Sequence, residues 1–145
     1  MYTIVTVKKR KEVITMGYDS RIYIVEKSRY ATPMNVVIDD EDYGDRIWGQ
    51  VIASMELGVY PTVSNLMCAK PETDMYIYAE DGNTRIVTDQ YDKVMTECSI
   101  EELLEVVQKD IDRGEDYRRV FPLYGLLKGF NTKQWDNLRV LHYGH

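Results

Sequence analysis

Thiol and imidazole side chains, which bind metals or act as nucleophiles and bases, are few in this chain: Cys68, Cys98, His142 and His145. A structural zinc site normally combines closely spaced pairs, such as C-x2-C with H-x3–5-H. The two cysteines are far apart, and the two histidines have the spacing H-x-x-H. Because we expect His142 in a strand and His145 at a frayed end, we predict no metal site and no cofactor.

Covalent catalysis has little support from the same residues. A cysteine nucleophile needs a base beside it, and His142 is the histidine that we expect in an ordered element. A buried, unreactive cysteine is the commoner arrangement. The sequence contains no G-x-G-x-x-G, Walker, H-E-x-x-H or G-x-S-x-G motif. These observations favour a protein that is not an enzyme.

The densest group of charged side chains is the run at positions 39–45. It contains Asp39, Asp40, Glu41, Asp42, Tyr43 and Asp45. Clustered carboxylates can hold Ca²⁺ or Mg²⁺, but this spacing is not that of the calcium loop, and no glutamate stands at the twelfth position. The alternatives are a solvated, self-repelling loop and a surface that a basic partner recognises. We take these six residues as the candidate partner-binding site.

A second candidate site lies nearer the end of the sequence. Arg118 and Arg119 follow Tyr117, and guanidinium groups bind phosphate or carboxylate groups. The alternative function is therefore a small-molecule-binding protein or small enzyme with a cleft near Arg118, Arg119 and His142. In the other interpretation, the two arginines pack against the acidic face of the helix predicted at 99–113.

That helix is the most strongly indicated element that positions these residues. Its apolar residues recur with helical spacing and form one stripe: Ile100, Leu103, Leu104, Val107 and Ile111. Ser99 and Glu102 match a capping box, and Gly114 can end the helix in the left-handed conformation. A second helix, or a pair of short ones, is predicted over 116–128, where Pro122 requires a break, a kink or a new start.

Strands are predicted from alternating apolar residues. They cover 2–7, 12–16, 21–27, 36–38 and 138–143, and the run 21–27 has the pattern of a central strand. The runs 75–79 and 84–88 flank Asp81-Gly82, which favours a hairpin.

The segment 47–57 fits either a helix or a strand. We favour a strand there because Gly49 weakens a helix.

Together these elements predict a single α+β domain over residues 1–145. We expect an antiparallel β-sheet of four to six strands, packed on one face by two or three helices. No apolar run approaches the roughly 18 residues that cross a bilayer, and we see no secretory leader. Two cysteines are too few for a disulfide framework. We therefore expect a cytoplasmic protein with no membrane contact.

Charge is distributed in three blocks along the chain. The net charge is −6 overall. Residues 1–30 and 117–145 are basic, whereas residues 31–116 contain six Lys/Arg against twenty Asp/Glu. A nucleic-acid-binding protein normally carries a basic excess, so we expect no direct nucleic-acid binding. The acidic middle either keeps the protein soluble or docks onto a basic partner.

Tyrosine is unusually frequent, with twelve residues against two phenylalanines. Tyrosines are enriched in binding surfaces, and they also suit half-buried strands. Tyr43, Tyr60 and Tyr91 lie in predicted connections, so we expect them to be exposed.

Two parts of the sequence resemble small uncharacterised accessory proteins of bacteriophages and integrative elements of Firmicutes. They are the segment Gly17–Lys27, and a set near the other end that comprises Tyr117-Arg118-Arg119, Leu126–Phe130, Trp135 and Leu141–His145. The resemblance implies a mobile-element protein in a bacterial cytoplasm and carries no catalytic residue. Small acidic proteins of that setting often inhibit host defence.

The predicted function is therefore a non-catalytic accessory protein that binds and inhibits a host protein through an acidic, tyrosine-rich surface. An anti-CRISPR protein that mimics nucleic acid is an example of this type. Its partner would be a host protein with a basic surface. A structural subunit with a large apolar interface between copies is a further alternative.

Overall fold

The computed structural model describes residues 19–27, 36–40, 45–78, 84–115, 117–135 and 137–145. The β-strands of these ranges are β1 Ser20–Lys27, β2 Val36–Asp40, β3 Asp45–Gly58, β4 Met75–Tyr78, β5 Arg85–Ile86, β6 Thr96–Cys98 and β7 Leu138–Gly144. The helices are α1 Pro61–Cys68, α2 Ile100–Asp112 and α3 Val120–Phe130. The strands predicted at 2–7 and 12–16 lie outside the described residues.

The described strands form one sheet in the order β5-β4-β2-β3-β1-β7-β6. Every neighbouring pair is antiparallel. The predicted α+β class with an antiparallel sheet is therefore confirmed. Of the seven described strands, β5 has only two residues and β6 only three. β1 lies between β3 and β7, so the predicted central position of the run 21–27 is confirmed.

The segment 47–57 is extended throughout as part of β3, which confirms the strand interpretation. The predicted hairpin between 75–79 and 84–88 is also confirmed, because β4 and β5 pair antiparallel. None of the helices in the described part of the chain has the length and apolar character needed to cross a membrane.

Helix α2 forms as its local sequence requires. The Ser99 side chain accepts a hydrogen bond from the Glu102 amide at 3.1 Å, and Glu102 accepts one from the Ser99 amide at 3.0 Å. This completes the predicted capping box. The helix buries Leu103 and Val107, and Gly114 follows it with a φ of +75°.

The other two helices begin close to prolines. In α3, Pro122 lies in the first turn, where its missing amide and fixed φ are tolerated. Helix α1, which the sequence reasoning did not predict, begins at Pro61 and buries Val63 and Met67.

The described helices pack on one face of the sheet. Ile22 and Val140 belong to a buried cluster with Val63, Leu103 and Leu123 of the three helices. On the opposite face, the described core is smaller: Val25, Met75, Met95 and Leu141. Residues of β1 and β7 thus contribute to both clusters, as alternation along a strand requires.

Candidate functional site

Three of the six predicted partner-binding residues lie at one end of the β2–β3 hairpin. Asp39 and Asp40 are the last two residues of β2, and Asp45 is the first residue of β3. Asp40 is in register with Asp45, and Asp39 is in register with Arg46. Glu41, Asp42 and Tyr43 fall outside the described residues. We call positions 39–45 the acidic hairpin end.

Within the described ranges, this hairpin runs past the paired parts of the strands on either side of it. The pairing of β1 with β3 stops at Gly49, and the pairing of β4 with β2 stops at Ile38. Asp39 and Asp40 therefore pair with Arg46 and Asp45 beyond the described pairing of both neighbours. The strand register thus places Asp39, Asp40 and Asp45 together at the end of a two-stranded ribbon.

Several other carboxylates are paired with the protein's own cations. The carboxylates in salt bridges include Glu56, Glu97, Glu102, Glu105, Asp110 and Glu115. The acidic hairpin end contains no lysine or arginine of its own, and Arg46 is the first cation after it. Negative charge is thus most concentrated and least compensated within the sequence at this end of the hairpin.

A cavity of about 360 Å³ lies between α1, β6 and the loop before β6. The polar and sulfur-bearing residues that line it are Cys68, Lys70, Asp89, Lys93, Thr96 and His142. The sequence analysis named Cys68 and His142 as possible metal ligands or catalytic groups. It did not name the other four residues. These four come from three separate segments, and only the fold brings them together.

His142 is buried in the wall of this cavity, with 4% of its surface exposed. Burial lowers the pKa of His142 from 6.5 to about 4, and the nearby His145 adds to the shift. The imidazole is therefore neutral near pH 7. A neutral imidazole can donate from one nitrogen and accept at the other.

A chain of hydrogen bonds connects His142 to α1. His142 Nε2 lies 2.9 Å from Ser20 Oγ, which lies 3.1 Å from Ser64 Oγ. Ser64 donates to the Tyr60 carbonyl at 3.3 Å. Because each hydroxyl has one hydrogen, Ser20 must donate to Ser64, and His142 must donate to Ser20 from Nε2.

Cys98 is not an activated nucleophile. Cys98 is fully buried, and burial raises the pKa of its thiol to about 12. It is therefore an unreactive core residue at neutral pH, as the sequence interpretation expected. Cys68 is exposed at the end of α1.

The residues of the second predicted site lie in two parts of the fold: the two arginines directly precede α3, and His142 lies on β7. Among the described residues that line the His142 cavity, neither Arg118 nor Arg119 occurs. Arg118 is exposed in the turn before α3. Arg119 Nη1 lies 3.4 Å from the position that a Cβ atom on Gly58 would occupy.

Three expectations about exposed or frayed residues were wrong. Tyr60 is 1% exposed, because its ring lies 4.8 Å from that of Tyr117 and its hydroxyl donates to buried Asp110 at 3.0 Å. His145 is not frayed: its amide and carbonyl exchange hydrogen bonds with the backbone of Asp19 at 2.9 and 3.0 Å. Tyr91, also expected to be exposed, is half-buried, and its hydroxyl donates to the His145 carbonyl at 3.0 Å.

The chain was compared with known protein families, curated proteins and solved structures. None of the three comparisons found a match.

Proposed function

We propose that this protein is a binding protein whose acidic hairpin end docks onto a basic surface of a host protein and inhibits it. The observation that carries the proposal is the strand register, which places Asp39, Asp40 and Asp45 beyond the pairing of β1 and β4. A ribbon that extends past its neighbours can enter a groove that the body of a domain cannot reach.

The charge arrangement in this ribbon supports a role in binding. Like-charged residues at directly opposite positions destabilise an antiparallel pair, and Asp40 faces Asp45 in register. An uncharged pair at these two positions would therefore make the hairpin more stable than two aspartates do. A concentration of one charge also steers encounter with an oppositely charged partner.

The chemistry of the partner follows from this charge. A basic groove with regularly spaced Lys and Arg side chains is typical of nucleic-acid-binding proteins. The resemblance to phage accessory proteins would place that partner in a bacterial host, as a defence or replication factor. In its most specific form, the proposal is an anti-defence inhibitor, such as an anti-CRISPR protein, that occupies a nucleic-acid channel.

The test compares two variants that remove the same number of charges. The hairpin variant carries Asp39→Asn, Asp40→Asn, Glu41→Gln, Asp42→Asn and Asp45→Asn. The control carries Glu72→Gln, Glu101→Gln, Glu105→Gln, Asp112→Asn and Glu115→Gln, at positions that are all exposed. Each immobilised protein is used to capture proteins from a Firmicutes lysate, with and without excess double-stranded DNA.

The proposal predicts that the native protein and the control capture the same nucleic-acid-binding protein. The hairpin variant should not capture it, and the added DNA should compete for it. Equal capture by all three proteins would overturn the proposal. The proposal would also be overturned if the control variant failed to capture the partner while the hairpin variant still captured it.

The second candidate function is binding of a small anionic molecule in the His142 cavity. Lys70 and Lys93 contribute ammonium groups to its wall, and Thr96 contributes a hydroxyl group. Ligand sites commonly combine apolar walls with a few convergent polar groups. Met67 and Val94 provide the apolar part.

This candidate is tested by thermal unfolding with a panel of phosphate- and carboxylate-bearing metabolites. A ligand of the cavity should raise the unfolding midpoint of the native protein but not of Lys93→Met. The control is Lys133→Met, which changes an exposed lysine outside this cavity. A ligand shift that survives Lys93→Met unchanged would exclude this cavity as the site.

A further inference from the structure

Three potential metal ligands meet at one end of the sheet, on neighbouring strands. Asp19 immediately precedes β1, Glu56 lies on β3, and His145 follows β7. One ligand atom from each lies within 4.8 Å of the others. The backbone pairing explains this proximity, because Glu56 is in register with Arg21, and Asp19 exchanges two backbone hydrogen bonds with His145.

The His145 imidazole differs from most surface histidines in the surroundings of its Nε2 atom. Its Nε2 atom is shielded from solvent and lies against Glu56 Oε2. That contact lacks hydrogen-bond geometry, and Nε2 has no hydrogen-bond partner among the described residues. A buried imidazole nitrogen without such a partner is costly, whereas a metal ion would use its lone pair.

Glu56 and His145 are both held in place by other groups. Arg21 contacts Glu56 Oε1 through Nε and Nη2, each at 2.8 Å, so the Glu56 oxygen nearer His145 is the other one, Oε2. The backbone of His145 is fixed by Asp19 and by the hydroxyl of Tyr91. Outer groups that orient metal ligands in this way are a regular feature of metal sites.

The donor set selects one class of metal. Ca²⁺ and Mg²⁺ prefer oxygen ligands alone, whereas an imidazole with two carboxylates suits Zn²⁺ and its first-row neighbours. Modest movements of the half-buried side chains would bring all three ligand atoms to metal-bonding distance. Three protein ligands also leave a coordination position for water.

We propose that Asp19, Glu56 and His145 form a Zn²⁺ site that ties together β3, β1 and β7. The site is separate from the acidic hairpin end and does not depend on the function proposed for it. Arg21 is a positioning residue that orients Glu56.

The experiment uses the untagged chain after treatment with a chelator. Thermal unfolding is followed with added Zn²⁺, and Co²⁺ is added separately as a spectroscopic probe of the ligand set. Zn²⁺ should raise the unfolding midpoint of the native protein, and this shift should disappear in Asp19→Asn and in His145→Gln. Mg²⁺ should give no shift.

The controls separate this site from other metal contacts. Cys68→Ser removes the exposed thiol, and Glu72→Gln removes an exposed carboxylate; both variants should keep the native Zn²⁺ shift. Arg21→Gln should lower the affinity roughly tenfold or more while the Co²⁺ spectrum keeps its native form.

The proposal is overturned if Zn²⁺ leaves the native midpoint unchanged. It is also overturned if Asp19→Asn and His145→Gln retain the full shift, or if Cys68→Ser abolishes it.

Discussion

His142 shows how burial determines the chemistry of a single residue. The sequence offers this histidine as a base or a metal ligand, but the fold places it in the wall of a cavity with its pKa lowered to about 4. Its Nε2 proton is used in the hydrogen bond to Ser20. Near neutral pH it therefore acts as a fixed, uncharged donor.

This burial makes the stability of the protein depend on pH. In the unfolded chain, the His142 pKa returns to 6.5, so the unfolded state binds a proton as the pH falls below that value while the folded state does not. The contribution of His142 is fully present above pH 6.5, decreases between pH 6.5 and 4, and amounts to about 3 kcal/mol in total.

Urea unfolding of the native protein and of His142→Gln across this pH range measures the effect. The unfolding free energy of the native protein minus that of His142→Gln should decrease as the pH falls. A difference that stays constant or grows would show that His142 is charged in the folded state.

Tyr60 and Asp110 form the second residue-scale feature that determines stability. Asp110 is fully buried, and its carboxylate accepts hydrogen bonds from Tyr60 and from Arg113. Burial and the neighbouring Asp110 raise the pKa of Tyr60, so its hydroxyl stays protonated and continues to donate.

Removing that hydroxyl leaves part of a buried carboxylate without its partner. Tyr60→Phe should therefore lower the unfolding free energy by about 1–3 kcal/mol. Tyr124→Phe, at a half-buried tyrosine on α3, is the control and should have a smaller effect. Chemical denaturation of both variants measures these losses. Equal losses of unfolding free energy in the two variants would contradict the assigned role of the Tyr60 hydroxyl.

At the scale of the elements, α2 is the clearest case of local sequence determining structure. Its cap, its apolar stripe and its glycine stop are all encoded within 99–114, and the structure reproduces each of them. The strands at 21–27 and 138–143 were also predictable, because alternation of side chains is a local pattern.

The capping box gives a direct test of this element. Ser99→Ala removes the acceptor of the Glu102 amide hydrogen bond, so it should lower the unfolding free energy by about 1 kcal/mol. Ser99→Asp keeps a capping oxygen at the same position and should retain most of the stability. If thermal denaturation finds the two variants equally destabilised, the cap is not what stabilises the start of α2.

Helix α1 was missed for a physical reason. Pro61 follows closely after Gly58, and a glycine and a proline in close succession usually mark the end of a preceding element. Proline at the first position of a helix is equally favourable, and Val63 and Met67 have the spacing of a helical face. The eight residues of α1 contain too few helical repeats of apolar side chains to outweigh the proline, which by itself suggests the end of an element.

The sites were less predictable than the elements because they depend on contacts between distant segments. The Tyr60–Asp110 pair joins residues 50 positions apart, and the Ser20–His142 pair joins residues 122 positions apart. No local pattern encodes such pairs. The acidic run was visible in the sequence because all its members are adjacent, but its place at the end of an extended hairpin required the strand register.

For the whole molecule, the central question is what the concentrated negative charge does. Salt bridges compensate several carboxylates on β3, β6 and α2, whereas positions 39–45 carry five acids and no basic residue. Coulomb interactions at an exposed surface weaken with added salt, since the Debye length is about 10 Å at 0.1 M and shorter above it. Docking through this end should therefore be strongly salt-dependent.

The most direct measurement is the affinity for the captured host protein as a function of salt concentration, for the native chain and the two charge-matched variants. The native protein and the control should show the same steep loss of affinity with rising salt, and the hairpin variant should show weak, nearly salt-independent binding. If the hairpin variant instead binds with the native affinity and the native salt dependence, the acidic hairpin end is not the docking surface.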